Sequence, residues 1–271
     1  MTRRQLDAVV RHLSQTIQTQ ATTVLTDGQL LGRFLREREA QAFTTLVHRH
    51  ASMVLTVARR VLRDVHDAED VFQATFLVLA KKAGSIRRRR ALAGWLYQVA
   101  YHLALRAKAE KARRHSQQRQ VQAMASAGPV TDLDRDELRA VLDQELGRLP
   151  EKYRTPLVLH HLEGKSKDET ARQLGWAEGT VSGRLDRARK LLRRRLIRRG
   201  FVLSSTCITT VLIEGTATAT VPPLLVKSAV EAALVGAGII SSTKAVSAAA
   251  KSLAEGMVRT MWFAGFSRSP R

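Results

Sequence analysis

The stretch from Lys165 to Arg195, KSKDETARQLGWAEGTVSGRLDRARKLLRRR, decides the fold of this chain. Ser166 and Glu169 form an S-x-x-E capping box, which starts a helix. Leu174 ends it, and Gly175 sits where a left-handed cap is wanted. A second helix follows, with Thr180, Val181, Leu185, Ala188 and Leu192 on one face and Ser182, Arg184, Arg187, Arg189, Lys190 and Arg194 on the other. Ala177 takes its N-cap position, where Ser, Thr or Asp is preferred, and Glu178 in the first turn complements the helix dipole. A short helix, a glycine turn and an Arg-studded helix fit the geometry that lays a recognition helix in the DNA major groove. The bland counterpart is a packed helix pair whose arginines only meet water.

The whole chain favours the DNA reading. It has 271 residues and a formal net charge of +21, a field that attracts polyanions. Acidic lipid would also answer that charge, but no segment reaches the roughly 18 apolar residues of a membrane span. The stretch from Phe201 to Ile213 comes nearest and is broken by Ser and Thr, so stable membrane insertion is not expected. The N-terminus lacks the apolar run of a signal peptide, and the lone Cys207 excludes an intramolecular disulfide. Both suit the cytoplasm.

Helical periodicity extends to both sides, and the expected class is all-α. Residues 1–26 read as a polar arm. From 27 to 114 the pattern predicts a bundle of three helices: a stripe of Phe43, Leu46, Val47, His50, Val54, Val57, Ala58 and Val61, then a helix from about Asp67 to Lys82, then one from about Leu92 to Lys111. Residues 115–131 are rich in Gln, Ser and Ala, contain Gly128-Pro129, and read as a linker. A second, smaller helical domain spans 132–198, with Pro150 breaking its first helix. Residues 199–271 carry fewer charges and form an extension, helical again from Val246 to Trp262.

DAEDVFQATF, residues 67–76, is a concentrated acidic patch in a very basic chain. At helical spacing Asp67, Asp70 and Gln73 share one edge, which suits docking to a basic helix. Acids enriched in a first helical turn explain it equally well. Catalysis is not expected: His48/His50 and His160/His161 fall in no metal-ligand frame, and neither a phosphate-binding loop nor a nucleophile elbow occurs. No cofactor or metal is expected.

DAEDVFQATF, Trp95-Leu96-x-x-Val99-Ala100, a Gln/Ser linker, Leu149-Pro150-x-x-Tyr153-Arg154 and Gly179-Thr180-Val181-x-x-Arg184-Leu185-x-Arg187-Ala188-Arg189 occur in that order. Together they resemble a bacterial RNA polymerase sigma factor of the two-domain extracytoplasmic-function group, over about residues 27–198. The resemblance implies that Asp67, Glu69, Asp70, Gln73 and Phe76 grip the clamp helices of the largest polymerase subunit. It implies that the loop Ser85–Ala91, with Ser85, Arg87, Arg88, Arg89 and Arg90, captures a flipped base of the minus-ten element. Single-strand capture by a basic loop is physically reasonable. Arg106, Lys108, Lys111, Arg113 and Arg114 would line the strand, with Trp95 in the core. Thr180, Ser182, Gly183, Arg184 and Arg187 match the minus-thirty-five recognition helix, and Arg189, Lys190 and Arg193–Arg195 would meet phosphate. Gly183 departs from the many relatives that carry a side chain there.

The leading expectation is a promoter-directing factor acting on core RNA polymerase and promoter DNA. An autonomous helix-turn-helix regulator is the alternative, and it leaves DAEDVFQATF unexplained. For residues 201–271 two readings stand: a regulatory appendage packed on one domain, beside or in place of an anti-sigma factor, or a weakly ordered remnant.

Overall fold

A computed structural model describes residues 25–119, 133–201, 210–212, 220–241 and 247–263. Every extended element among them is helical. The first four are α1 (Asp27–Glu37), α2 (Ala40–Val61), α3 (Val65–Lys82) and α4 (Leu92–Arg119), with short 3-10 turns at Ala83–Ser85 and Arg89–Ala91. Thr26 caps α1 through a capping box with Gln29. Asp64 caps α3 by accepting the His66 and Asp67 amides at 2.9 and 3.2 Å. That cap explains why α3 begins two residues before the expected Asp67: an Asp side chain satisfies the amides a helix start leaves orphaned.

These four helices bury one core. Phe34 and Phe43 meet at 4.7 Å between ring centroids, and Phe72 and Phe76 form an edge-to-face pair at 5.0 Å. The bundle has four helices rather than three, because α1 contributes buried Leu30, Leu31 and Phe34. α4 runs to Arg119, eight residues past the expected Lys111 and into the stretch read as linker. The rest of that stretch, 120–131, and most of the N-terminal arm lie outside the described residues, as does Cys207.

The following four are α5 (Leu133–Gly147), α6 (Glu151–Leu157), α7 (Lys167–Leu174) and α8 (Glu178–Ile197). Between α6 and α7 the chain widens into one π-helical turn, Val158–Leu162, directly after Pro156, where an amide donor is missing. Leu142, Leu146, Leu157, Leu159, Leu174, Val181, Leu185 and Leu192 form the core of this second bundle. Its apolar core is continuous with that of the first.

Two helices complete the fold, α9 (Pro223–Gly236) and α10 (Ala248–Phe263). α9 was not expected. Pro222-Pro223 starts it, since proline is preset for a first helical turn. Both helices lie along α3, a packing that periodicity could not have specified. α9 adds Leu225, Val226, Ala229, Val230, Ala233 and Leu234 to the main core, while Ala250, Leu253, Ala254 and Met257 of α10 pack with Val71, Ala74, Leu77, Val78 and Leu103. This part of the extension is therefore a packed layer and not a remnant.

Candidate functional site

The helix-turn-helix is built locally. Ser166 Oγ accepts the Glu169 amide at 3.1 Å, and the Glu169 carboxylate accepts the Ser166 amide at 2.8 Å. Gly175 adopts φ 67°, which a side chain would strain. The next amide, of Trp176, bonds back to the Ala171 carbonyl at 3.0 Å and closes the turn. Ala177 makes no side-chain cap.

Val181, Leu185, Ala188, Leu192 and Leu196 are the buried stripe of α8. That leaves Thr180 and Arg187 exposed, with Ser182 and Arg184 half-buried beside them on the open face. Thr180 thus stands on the open face rather than the packed one. The Arg184 guanidinium lies 3.8 Å above the Trp176 ring, a cation–π pair that fixes the direction of the fork.

Arg189 departs from its expected phosphate role. It turns inward, with Nη2 3.3 Å from His161 Nε2. Burial, then the neighbouring His160 and Arg189, depress the pKa of His161 to about 4. A neutral ring can accept from the guanidinium.

The arginine loop lies between α3 and α4. Ser85 Oγ donates to the Lys82 carbonyl at 2.8 Å. Arg87, Arg88 and Arg90 are exposed and Arg89 is half-buried. Arg88 stands 3.6 Å from Glu151, and the Arg90 guanidinium rests directly over Gly175. The loop therefore touches the turn of the helix-turn-helix. Arg106 pairs with Glu110 at 2.9 Å and its guanidinium lies against Gly256 of α10, with the side chain still 41% exposed.

The acidic edge of α3 is occupied in two ways. Asp64 and Asp67 hold Lys111 Nζ at 2.9 and 2.6 Å. The Lys111 hydrogen bond, helped by the His66 and Asp67 amides, lowers the Asp64 pKa to about 2. Lys111 is thus engaged by carboxylates rather than free for a nucleic-acid backbone. The extension meets the rest of the edge: Ser247 Oγ donates to Asp70 at 2.5 Å, and Gln73 donates to Ser228 Oγ at 3.1 Å. Glu69 is half-buried. Phe76 is wholly in the core and offers no surface to a partner, because its position on α3 points it at Phe72 and the bundle interior.

Comparison with known proteins decides the family. Residues 46–114 match the model of sigma-70 region 2, and residues 139–192 match that of sigma-70 region 4. The RNA polymerase sigma-H factor of Pseudomonas aeruginosa is 31% identical over 183 residues, 63% of this chain and 93% of that protein. The chain is an RNA polymerase sigma factor of the extracytoplasmic-function group. Two named members of that group are SigM of Mycobacterium tuberculosis, 33% identical over 156 residues (57% of this chain, 77% of SigM), and SigW of Bacillus subtilis, 26% over 173 (60% and 92%).

The region 2 match holds the acidic edge and the arginine loop of this sigma factor, and the region 4 match holds the helix-turn-helix. Helices α9 and α10 lie outside both. Sequence reasoning missed two residues. Trp176 was passed over as part of a turn, although an aromatic eight residues before Arg184 was a usable signal. His50 was read only as a member of an apolar stripe.

Proposed function

We propose that this sigma factor docks core RNA polymerase through Asp67, Glu69, Asp70 and Gln73 on α3 and directs it to promoters by two DNA contacts. The division of labour would follow residues 27–114 and 132–198. In the first, the loop of Ser85, Arg87, Arg88, Arg89 and Arg90 takes the minus-ten strand. In the second, Thr180, Ser182, Arg184 and Arg187 read the minus-thirty-five duplex. The observation carrying this reading is that one chain holds both an acid- and amide-bearing helix edge and an open Arg face on a capped recognition helix. The role is one of binding, with no reaction assigned. Among the described residues no helix is long and apolar enough to cross a membrane, and the site of action would be the cytoplasm, where polymerase meets DNA.

Arg184 is the specificity residue in this reading, since a guanidinium pairs bidentately with guanine. Trp176→Leu removes its platform. Binding to a minus-thirty-five duplex should weaken about two- to fivefold, the worth of an exposed cation–π pair. Trp176→Phe should recover part of the loss in the same titration.

Extension helices α9 and α10 would act as a built-in cover, because Asp70 and Gln73 cannot hold Ser247 and Ser228 and also grip a clamp. The test is co-elution of the full chain with core polymerase. Glu69→Lys/Asp70→Lys should abolish it, whereas Leu253→Lys/Met257→Lys, which unseats α10, should strengthen it. Unchanged binding in the charge-reversal variant would remove α3 from the interface.

A further inference from the structure

The two extension helices are fastened to α3 by unequal means. α9 buries Leu225, Val226, Val230 and Leu234, with alanines between them, in the main core. Gly236 stands so close to α3 that a Cβ there would lie 2.6 Å from Leu77 Cδ1. At the C-terminal end of α9, Arg38 Nη1 donates to the Ala237 carbonyl at 3.1 Å, a cation where a helix end leaves carbonyls orphaned.

α10 has less to hold it. Its buried residues are Ala250, Leu253, Ala254 and Met257, so only two side chains larger than a methyl anchor it, and they belong to the separate, smaller cluster. Gly256 sits mid-helix, where glycine weakens the element. What lies against Gly256 is the Arg106 guanidinium, the far end of a partly exposed side chain that can swing aside. Ser247 Oγ, which donates to Asp70, also accepts the Ala250 amide at 2.9 Å, so the tie to α3 and the N-cap of α10 are one hydroxyl. A cleft of about 360 Å³ stays open between α10 and its bed, lined by Asp67, Asp70, Glu110, Arg114, Ser252 and Leu253 among others. Tightly packed joints leave few voids wider than a water.

We propose that α10 is a detachable occupant of the groove between α3 and α4, and that α9 is a permanent member of the first bundle. Hydrophobic stabilisation follows the apolar area removed from water, so the two helices stand at different levels of local opening. Release of α10 alone frees Asp70 and opens the apolar side of the groove, where Val71, Ala74, Val78 and Leu103 share its cluster. Gln73 keeps its bond to Ser228 on α9 and is won only by exchanging that one bond. The vacated surface is an apolar groove beside carboxylates, which fits a partner helix with small apolar residues on one face and cations next to them. The unequal fastening rests on the packing alone; that the partner is core polymerase rests on the docking reading above.

The experiment is amide hydrogen exchange, read by mass spectrometry on the full chain, free and then bound to core polymerase. In the free chain α10 should exchange about tenfold or more sooner than α9. Leu253→Lys/Met257→Lys should remove what protection α10 has and leave that of α2 and α9 in place. Val230→Lys/Leu234→Lys, in α9, should instead speed exchange throughout the first bundle. In the polymerase complex α10 should lose protection while α9 keeps it. Equal exchange of α9 and α10 in the free chain overturns the proposal. So does an α10 variant that deprotects the whole bundle or fails to fold, or an α9 variant that spares the bundle. An α10 that stays protected on polymerase overturns its release. If the chain does not bind polymerase at all, the docking reading fails, and the free-chain exchange still decides the fastening.

Discussion

Arg154→Ala should destabilise the protein by about 3–5 kcal/mol, the cost of taking a buried donor away from three carbonyls, at roughly 1–3 kcal/mol for each acceptor left unsatisfied. Arg154 is 7% exposed, yet its guanidinium satisfies three carbonyls. Nη1 donates to Gly147 and Leu149 at 3.1 and 2.9 Å, and Nε donates to Gly94 at 3.2 Å. The first two lie at the end of α5, where orphaned carbonyls and the negative end of the dipole call for a cation. The third lies in α4, so one side chain ties the second bundle together and fastens it to the first. Alanine strands all three acceptors and leaves a cavity. Arg154→Lys keeps the charge without the fork and should fall between. Urea unfolding is the measurement: the midpoint should drop with an unchanged slope, and a shift worth under 1 kcal/mol would mean that water replaces the guanidinium freely.

Raising the pH from 6.5 to about 9 should remove a comparable contribution. Burial would lower the folded-state pKa of His50, but the Glu163 and Asp27 carboxylates, 2.6 and 3.1 Å from its ring nitrogens, raise it to about 9 from an ordinary 6.5. Between those values the folded protein binds a proton that the unfolded chain has released, so stability falls as pH rises. The contribution is complete below 6.5 and gone above 9. At 1.36 kcal/mol per pKa unit it amounts to about 3 kcal/mol. Asp27 works in the opposite window. Its burial favours the neutral acid, but His50 and then Arg49 outweigh that and hold its carboxyl well below the usual range. Its contribution is present above the ordinary carboxylate range and is lost only in strong acid. Urea midpoints at pH 6, 7.5, 9 and 10 should therefore decline for the wild type and stay nearly level for His50→Gln. A level wild-type profile would mean that His50 is neutral in the folded state.

Local rules carried much of the reading. The helix-turn-helix was legible because its signals are short-range: a capping box four residues long, a glycine at positive φ, and a buried stripe at helical spacing. The start of α3 was misplaced by two residues because Asp64 competes with Asp67 for the cap, and only backbone geometry chooses. Arg189 and Phe76 were misjudged for one reason. Periodicity assigns a face, but which face meets a partner depends on what else is packed there. Arg189 meets His161, and Phe76 meets Phe72.

The residues by themselves determined an all-helical chain with a basic recognition helix and an acidic helix edge, since charge, caps and period act over a few residues. Only the tertiary structure decided that α9 and α10 lie on that acidic edge, that the arginine loop rests on Gly175, and that His50 stands between Asp27 and Glu163. Apart from His50–Asp27, which are 23 positions apart, each of those contacts joins residues more than 80 positions apart. No local propensity encodes them; burial of matching apolar faces and pairing of desolvated charges select them.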